Sequence, residues 1–430
     1  MQKLQSNIVI IGASHAGLSC AEKLRSNGFE GRITVLDRDS GLPLQRPPLS
    51  KAYLHAPLSD PLPDSLSDSR PQDEAEAEFL LRRPDFFSQF DIELKTGCLV
   101  EAIHIADKSL TITDESGTTR LSYDQLVLAT GAEPRRLPIE GADAPNLMVL
   151  RTAEDARALR SSLHSARQVL VIGGGYIGLE AAASMRKQGC EVHVIEAAPR
   201  LLARVASPEI SAFYKELHET HGVAMHIGAG LKGFSLDETG RITGAELSNG
   251  QHLACDLVLL GIGVVPDQAL ASEAGLTVSN GIEVDTDYQT SAPSIYAIGD
   301  VAFNPARAAI RVESIHHAQF SGAYVAAQIT GSQAPATEAW WFWSDQYDVK
   351  LQIAGLMPSA APEQMRFVRR AGRRAGSLSV WSWLDGQFVA VESANDPQAY
   401  MIGKKMLEAG RNLDPDQIAD PDFQLKSLLV

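Results

Sequence analysis

Two glycine-rich turns, each set between an apolar strand and an amphipathic helix, constrain this chain more than any other feature. The first, Gly12-Ala-Ser-His-Ala-Gly17, follows Asn7-Ile-Val-Ile-Ile11 and leads to Ile33-Thr-Val-Leu-Asp37. The second, Gly173-Gly-Gly-Tyr-Ile-Gly178, follows Gln168-Val-Leu-Val-Ile172 and leads to Glu191-Val-His-Val-Ile-Glu196. In each, glycine lets the backbone turn tightly and approach a pyrophosphate, while the helix N-terminus offers N–H groups to the anion. The carboxylate at the end of the next strand accepts hydrogen bonds from ribose hydroxyls. One such turn alone is a weak signal. Two, each with strand, helix and acid in register, predict that one polypeptide binds two dinucleotides.

A chain of 430 residues is too long for one ordinary core, and 44% apolar content predicts two or three well-buried domains. The formal charge of −15 argues against nucleic acid or an anionic membrane as the main partner. No stretch reaches the ~18 to 20 apolar residues of a membrane span, and the apolar run near the N-terminus ends in a glycine turn, not a cleavage site. The expected location is therefore cytoplasmic. Cys20, Cys98, Cys190 and Cys255 are scattered without a CxxC pair, so neither a local redox disulfide nor a metal site is expected, and core packing is their reading.

The expected fold class is α/β, with two Rossmann-like dinucleotide-binding domains and a C-terminal α+β domain. A further cofactor-type signal, Ser294-Ile-Tyr-Ala-Ile-Gly-Asp300, comes after the second glycine turn, so the first domain is read as discontinuous. The expected division is 1–128 with 258–330 for the first domain, 129–257 for the inserted one and 331–430 for the last. Between Leu54 and Glu78 the composition turns to Pro, Ser and acidic residues, which predicts an exposed acidic loop. Alternating segments around Ile103–Asp114 and Gly230–Leu260 predict small antiparallel sheets. Strands are expected over Trp340–Gly355, Ser377–Leu384 and Phe388–Val391, followed by a helix opening near Pro397.

The first cradle has companions that point to FAD. Arg46-Pro-Pro-Leu-Ser-Lys51 would hold a rigid turn against a flat ring, Ala129-Thr130-Gly131 follows an apolar strand, and Gly299-Asp300 sits at a strand end before a helix. Asp300 suits a ribityl hydroxyl or the pyrophosphate environment, with a helix cap as its competing role.

On these residues the chain resembles the FAD-dependent, NADH-using ferredoxin reductases that feed bacterial oxygenases, within the glutathione-reductase-like fold. The matching stretches run almost end to end. They include Arg46–Lys51, Ala129–Pro138, Leu150–Asp155, Gly173–Glu180, Gly261–Pro266, Tyr296–Val301, Arg311–Ile315 and, most diagnostic, Trp341-Phe-Trp-Ser-Asp-Gln-Tyr347. The resemblance implies FAD contacts at Ala16, Lys51, Val100, Arg151, Asp300 and Ile315. It implies NADH contacts along Gly173, Gly175, Tyr176, Ile177 and Gly178 and at Glu196, Arg204 and Gly263. Lys51 and Glu180 would form an ion pair beside the flavin, where a cation stabilises the negative charge of the reduced ring. An incidental salt bridge is the competing reading.

Charge also separates the coenzymes. Glu196 accepts a 2′-hydroxyl and repels a 2′-phosphate, and Ala197-Ala-Pro199 brings no cation, so NADH is expected; Arg200 and Arg204 are the reservation. The chain departs from the pattern in places. Ser14 replaces a glycine of the first fingerprint, and the acid expected one residue beyond Asp37 is Arg38, leaving Asp37 or Asp39 to substitute. His316-His317 stands where relatives carry other polar residues: a titratable pair near the flavin, or histidines opening a helix.

The implied partner is a ferredoxin-type (or rubredoxin-type) iron–sulfur protein, with the chain a monomer or homodimer. Gln319–Gln328 lacks the basic residue that relatives present to an acidic partner, so Lys350, Arg366, Arg369, Arg370, Arg373 and Arg374 are the alternative source of positive charge, or else a solvated face. Trp343 is expected near the flavin edge on an electron path, and core packing competes for both Trp341 and Trp343. The rival functions are an NADH oxidase or diaphorase with a small-molecule acceptor, a redox-sensing NADH-binding flavoprotein, and a flavin disulfide reductase. The last needs a reactive cysteine, and Gly41–Leu54 contains none.

Overall fold

Short runs of Ile, Val and Leu without polar alternation form strands buried on both faces, as parallel sheets require. The computed structural model describes residues 6–56, 74–306, 311–357 and 364–429. Two compact units emerge: Met1–Arg46, Ala56–Glu133 and Val264–Ala336 form one, and Pro47–His55, Pro134–Gly263 and Thr337–Val430 the other.

In the first unit a five-stranded parallel sheet has the order Ile295–Ala297, Gln125–Leu128, Ile8–Ile11, Ile33–Leu36, Glu93–Lys95. The helix His15–Ser26 packs on the long helix Ile315–Thr330. Their approach is close because Gly322 has no side chain: a Cβ there would lie 2.5 Å from the Ala16 carbonyl oxygen. A three-stranded antiparallel sheet, Leu99–His104, Ser109–Asp114 and Gly117–Ser122, is attached.

The second unit repeats the design. Its parallel sheet runs Ala224–Ile227, Glu191–Glu196, Gln168–Ile172, Leu257–Leu260, Leu147–Met148, with an antiparallel trio over Leu231–Leu236, Ile242–Leu247 and His252–Ala254. The same unit holds a five-stranded antiparallel sheet in the order Trp341–Gln346, Val349–Gly355, Gln387–Ala394, Leu378–Leu384, Met365–Ala371. The helix Pro397–Glu408 covers it, burying Trp381, Val391, Ile402 and Met406 together.

The boundaries differ from the sequence division: the first unit runs on through Glu133 and through Ala336, a few residues past the expected ends, and larger differences lie elsewhere. Leu257–Leu260 pairs with Gln168–Ile172 inside the second sheet, so the chain returns to the first unit at Val264, not at 258. Pro47–His55 belongs to the second unit, because Ser50 and Lys51 bond to the helix Tyr176–Lys187. The inserted and C-terminal segments form one unit. Most of the expected acidic loop, residues 57–73, lies outside the described residues.

Met365–Ala371 is a strand that the sequence reading treated as a charge run. Arg366 pairs with Asp416, and Arg370 donates to the carbonyls of Asp420 at 2.6 Å and Phe423 at 3.0 Å. Strand alternation puts these arginines on the same face as buried Val368, where they tie down the chain's last turns.

Candidate functional site

At the first glycine turn, Gly12 adopts φ +108°, and a Cβ there would collide with the Ala129 carbonyl. Gly17 is equally constrained by the Gly12 carbonyl. The carboxyl ends of the parallel strands bring Gly12, Asp37, Ala129-Thr130-Gly131 and Gly299-Asp300 to one edge of the first sheet, the usual location of ligands in such sheets. Ser14 opens the helix and its hydroxyl accepts from Arg46 Nε at 3.3 Å. Ala16 lies against Gly299, and Ile315 starts the helix packed on the same side. Thr130 Oγ1 donates to the Asp267 carbonyl at 2.6 Å, which fixes the strand end.

Of the two acids, Asp37 is the one turned to the cradle. Burial and neighbouring Asp39 push its carboxyl up to about 6, against bonds from the Asp39 and Ala13 N–H groups and the charge of Arg46. Arg38 points elsewhere, paired with Glu133 and, at 3.3 Å, with Asp267. His15, which sequence reasoning passed over, has both ring nitrogens buried without a hydrogen-bond partner. Burial, then Arg46 and Arg82, lower its pKa to about 4, so the ring is neutral beside two cations. Orphaned polar atoms and a positive field at a helix N-terminus fit a bound dinucleotide diphosphate. Val100 sits on the antiparallel sheet and Arg151 in the second unit, at the turn where its N–H bonds Asp155 at 3.0 Å.

The second turn repeats the geometry. Gly173, at φ +110°, and Gly178 leave no room for a side chain, whereas a Cβ on Gly175 would meet nothing within 4 Å. The middle glycine of such turns is where the backbone can approach a pyrophosphate; Ser14 holds the corresponding place in the first turn, and the open space at Gly175 shows that this position has room for a small side chain. Glu196 lies over the turn, accepting from the Gly174 and Ala198 N–H groups, each at 2.7 Å. Ile177 is 42% exposed, an apolar surface at the cradle. Arg200 is consumed locally, donating to the Ala206 carbonyl at 2.8 Å, Ser211 Oγ at 2.7 Å and the Ala203 carbonyl at 2.9 Å. Arg204 remains exposed, with Gly263 beside its guanidinium.

Within the same unit, Lys51 Nζ donates to Glu180 Oε2 at 2.6 Å. Glu180 is 5% exposed, and a buried carboxylate is costly unless several donors reach it. Two more do: Ser50 Oγ to Oε2 and Ser344 Oγ to Oε1, each at 2.6 Å. The Pro47–Ser50 turn orients Lys51, whose ammonium also donates to the Pro47 carbonyl at 3.1 Å. Neither serine was singled out from the sequence, although Ser344 lies in the diagnostic Trp341–Tyr347 run. Trp341 and Trp343 lie side by side with their rings tilted by 33° and their centres 5.6 Å apart, and Trp341 packs on the C-terminal core. His317 is buried and bonds the Val312 carbonyl through Nδ1 at 2.9 Å, anchoring the start of its helix.

Known proteins agree with this layout. Residues 6–322 match the pyridine nucleotide-disulphide oxidoreductase family and residues 341–429 the reductase C-terminal family. The chain is 40% identical to rhodocoxin reductase of Rhodococcus erythropolis, over 98% of this chain and 93% of that one. It is similar to the crystal structure of the ferredoxin reductase for the CYP199A2 system of Rhodopseudomonas palustris, with TM-score 0.88, 38% identity and coverage of 99% and 100%. The putidaredoxin reductase in its covalent complex with putidaredoxin gives TM-score 0.88 and 34% identity, covering 99% of this chain and 98% of that one. With two dinucleotide cradles, a clamped Lys51–Glu180 pair and relatives aligned from end to end, the chain belongs to the pyridine nucleotide-disulphide oxidoreductase family, among its ferredoxin reductases of oxygenase systems.

Proposed function

We propose that this protein oxidises NADH and reduces a ferredoxin-type iron–sulfur protein that supplies a cytochrome P450 or ring-hydroxylating oxygenase. The balance is one NADH and two oxidised ferredoxins giving NAD⁺, a proton and two reduced ferredoxins. Members of the family use FAD and NAD(H). FAD, when bound, supplies the conversion between the paired electrons of nicotinamide and the single electrons of an iron–sulfur centre.

We assign FAD to the cradle of Gly12, Ser14, Ala16, Gly17, Asp37, Arg46 and the Ala129–Gly131 and Gly299–Asp300 turns. NADH is assigned to Gly173–Gly178, Glu196, Arg204 and Gly263. The observation that carries the reading is the helix Tyr176–Lys187: its N-terminus is the nicotinamide-dinucleotide cradle, and one turn on it presents the carboxylate that grips Lys51. An ammonium held there is placed to stabilise negative charge as hydride is delivered. Glu180 keeps the ammonium in place.

The cysteines speak against a disulfide as the electron exit. All four are buried and free, and burial pushes the Cys20 thiol up to about 12 and that of Cys255 to the same level. Such thiols are poor nucleophiles.

The test is NADH-driven reduction of small iron–sulfur proteins, followed by their own absorbance bands, with oxygen uptake measured in parallel. Fast acceptor reduction with slow oxygen uptake is expected. Oxygen uptake equal to NADH consumption whether or not an iron–sulfur protein is present would replace this reading with that of an NADH oxidase.

A further inference from the structure

Glu180 is the end of a longer chain of hydrogen bonds, all inside the second unit. Ser344 Oγ donates to Glu180 Oε1 at 2.6 Å, and Gln346 Nε2 donates to Ser344 Oγ at 3.0 Å. Gln346 Oε1 lies 2.7 Å from His218 Nε2, and Tyr347 Oη is 3.5 Å from His218 Nδ1. We infer that Ser344, Gln346 and His218 are positioning residues for the reductive step, a one-way series of donors that fixes the Glu180 carboxylate and, through it, the Lys51 ammonium. This inference rests on the role assigned above to the Lys51–Glu180 pair.

The geometry sets the direction. Gln346 has one acceptor oxygen and one amide nitrogen; with the nitrogen spent on Ser344, the oxygen must accept from His218, so His218 carries a proton on Nε2. Ser344 has one proton, and a carboxylate can only accept it. Every donor therefore points toward Glu180. Burial lowers the pKa of His218 to about 4, outweighing the opposite pull of Gln346, with His221 lowering it further. The ring is thus neutral, with Nδ1 as an acceptor facing Tyr347. His221 stacks on that tyrosine with ring centres 3.7 Å apart, and the Lys187 ammonium lies over the tyrosine ring, 5.8 Å from its centre. A glutamine in the middle cannot relay a proton, so the series is an orienting device and not a proton path.

The strand Trp341–Gln346 explains how the series is built. Its period of two puts Phe342, Ser344 and Gln346 on one face, and Ser344 and Gln346 are 0% and 1% exposed while Asp345 is exposed. Phe342 on that face packs edge-on against Tyr176, ring centres 5.6 Å apart, so the strand lies on the helix that carries Glu180. His218, 0% exposed, comes from the helix Pro208–Thr220. A polar series with each member satisfied rigidifies its end group, and loss of one member frees the rest.

Stopped-flow reduction of the FAD-loaded protein by NADH is the first readout. Ser344→Ala is expected to slow it about tenfold, the loss of one buried hydrogen bond to a charged group, and His218→Leu about fivefold, the loss of a bond between neutral partners one step further away. The double variant should be no slower than Ser344→Ala alone, because the donors act in series. His218→Gln, which keeps an N–H near the place of Nε2, should restore the rate to within about twofold of the native protein. The second readout needs no turnover: acetylation of the Lys51 amine in the apoprotein, followed by mass spectrometry, should be faster in Ser344→Ala and His218→Leu but not in His218→Gln. Ser344→Ala removes a single oxygen, so the test survives if His218→Leu fails to fold. Glu180→Ala is the control for the underlying role. If Glu180→Ala slows reduction while Ser344→Ala changes neither rate nor labelling, the positioning series is wrong and the ion-pair role stands; if Glu180→Ala has no effect, both fall.

Discussion

Arg200 and Arg204 are four residues apart at the end of the same cradle, yet their surroundings give them different duties. Arg200 spends its guanidinium on two carbonyls and Ser211, so its loss is a loss of structure. Arg204 is exposed beside Gly263 and has its charge to offer a bound dinucleotide. Arg200→Ala is expected to cost about 2 kcal/mol of stability, read by urea denaturation. Arg204→Ala should leave the denaturation midpoint unchanged and raise KM for NADH severalfold. If instead Arg200→Ala folds normally and loses activity with NADPH while keeping that with NADH, Arg200 is a partner of the 2′-phosphate and not a structural residue. The glycines of the two turns, by contrast, were readable from spacing alone, since a fixed local pattern needs no knowledge of what folds against it. His15 was not, because only the closed fold shows that both of its nitrogens are buried without partners.

At the scale of elements, one buried acid joins a C-terminal strand to a helix start. Glu392, 0% exposed on Gln387–Ala394, accepts from the N–H of Ser207, the cap of the helix Pro208–Thr220, at 3.0 and 3.2 Å. Burial raises its carboxyl to about 7, more than the Ser207 bonds lower it, with Glu209 adding to the rise. The folded state therefore binds this proton more tightly than the unfolded chain does. Stability is greatest below the unfolded pKa of about 4.5, falls as pH rises toward 7, and levels off above it, by up to about 3 kcal/mol in all. Glu392→Gln should flatten this contribution, so that its melting temperature loses less than that of the native protein between pH 5 and pH 8. An identical pH slope in the two proteins would refute the assignment. The sequence carried the sheets well wherever a strand was purely apolar, and missed Met365–Ala371 because its arginines look solvent-facing when their partners, Asp416 and the carbonyls beyond it, lie some fifty residues along the chain. The Ser344–Gln346–His218 series was hidden for the same reason: its members come from a strand and a helix 128 residues apart.

For the molecule as a whole, the formal charge of −15 poses a problem for electron delivery, since the resemblance implies an acidic partner. Lys350, Arg369, Arg373 and Arg374 are exposed on the C-terminal part of the second unit, whereas Arg366 and Arg370 are engaged with the chain itself. Distance decides which effect governs docking. At about 0.15 M salt the Debye length is ~8 Å, so repulsion from the distant net charge is screened while contacts a few ångströms apart keep much of their strength. Acceptor reduction by an acidic iron–sulfur protein should therefore rise as salt is added from very low concentration, pass through a maximum, and decline once the local pairs are screened too. Arg369→Glu, Arg373→Glu and Arg374→Glu together should lower acceptor reduction about tenfold near the maximum, on the scale of one or two close ion pairs, and leave flavin reduction by NADH as it was. Rates that fall steadily from the lowest salt would mean that attraction dominates at every distance and that net repulsion has no part. A triple variant with unchanged acceptor kinetics would move the docking face away from these arginines.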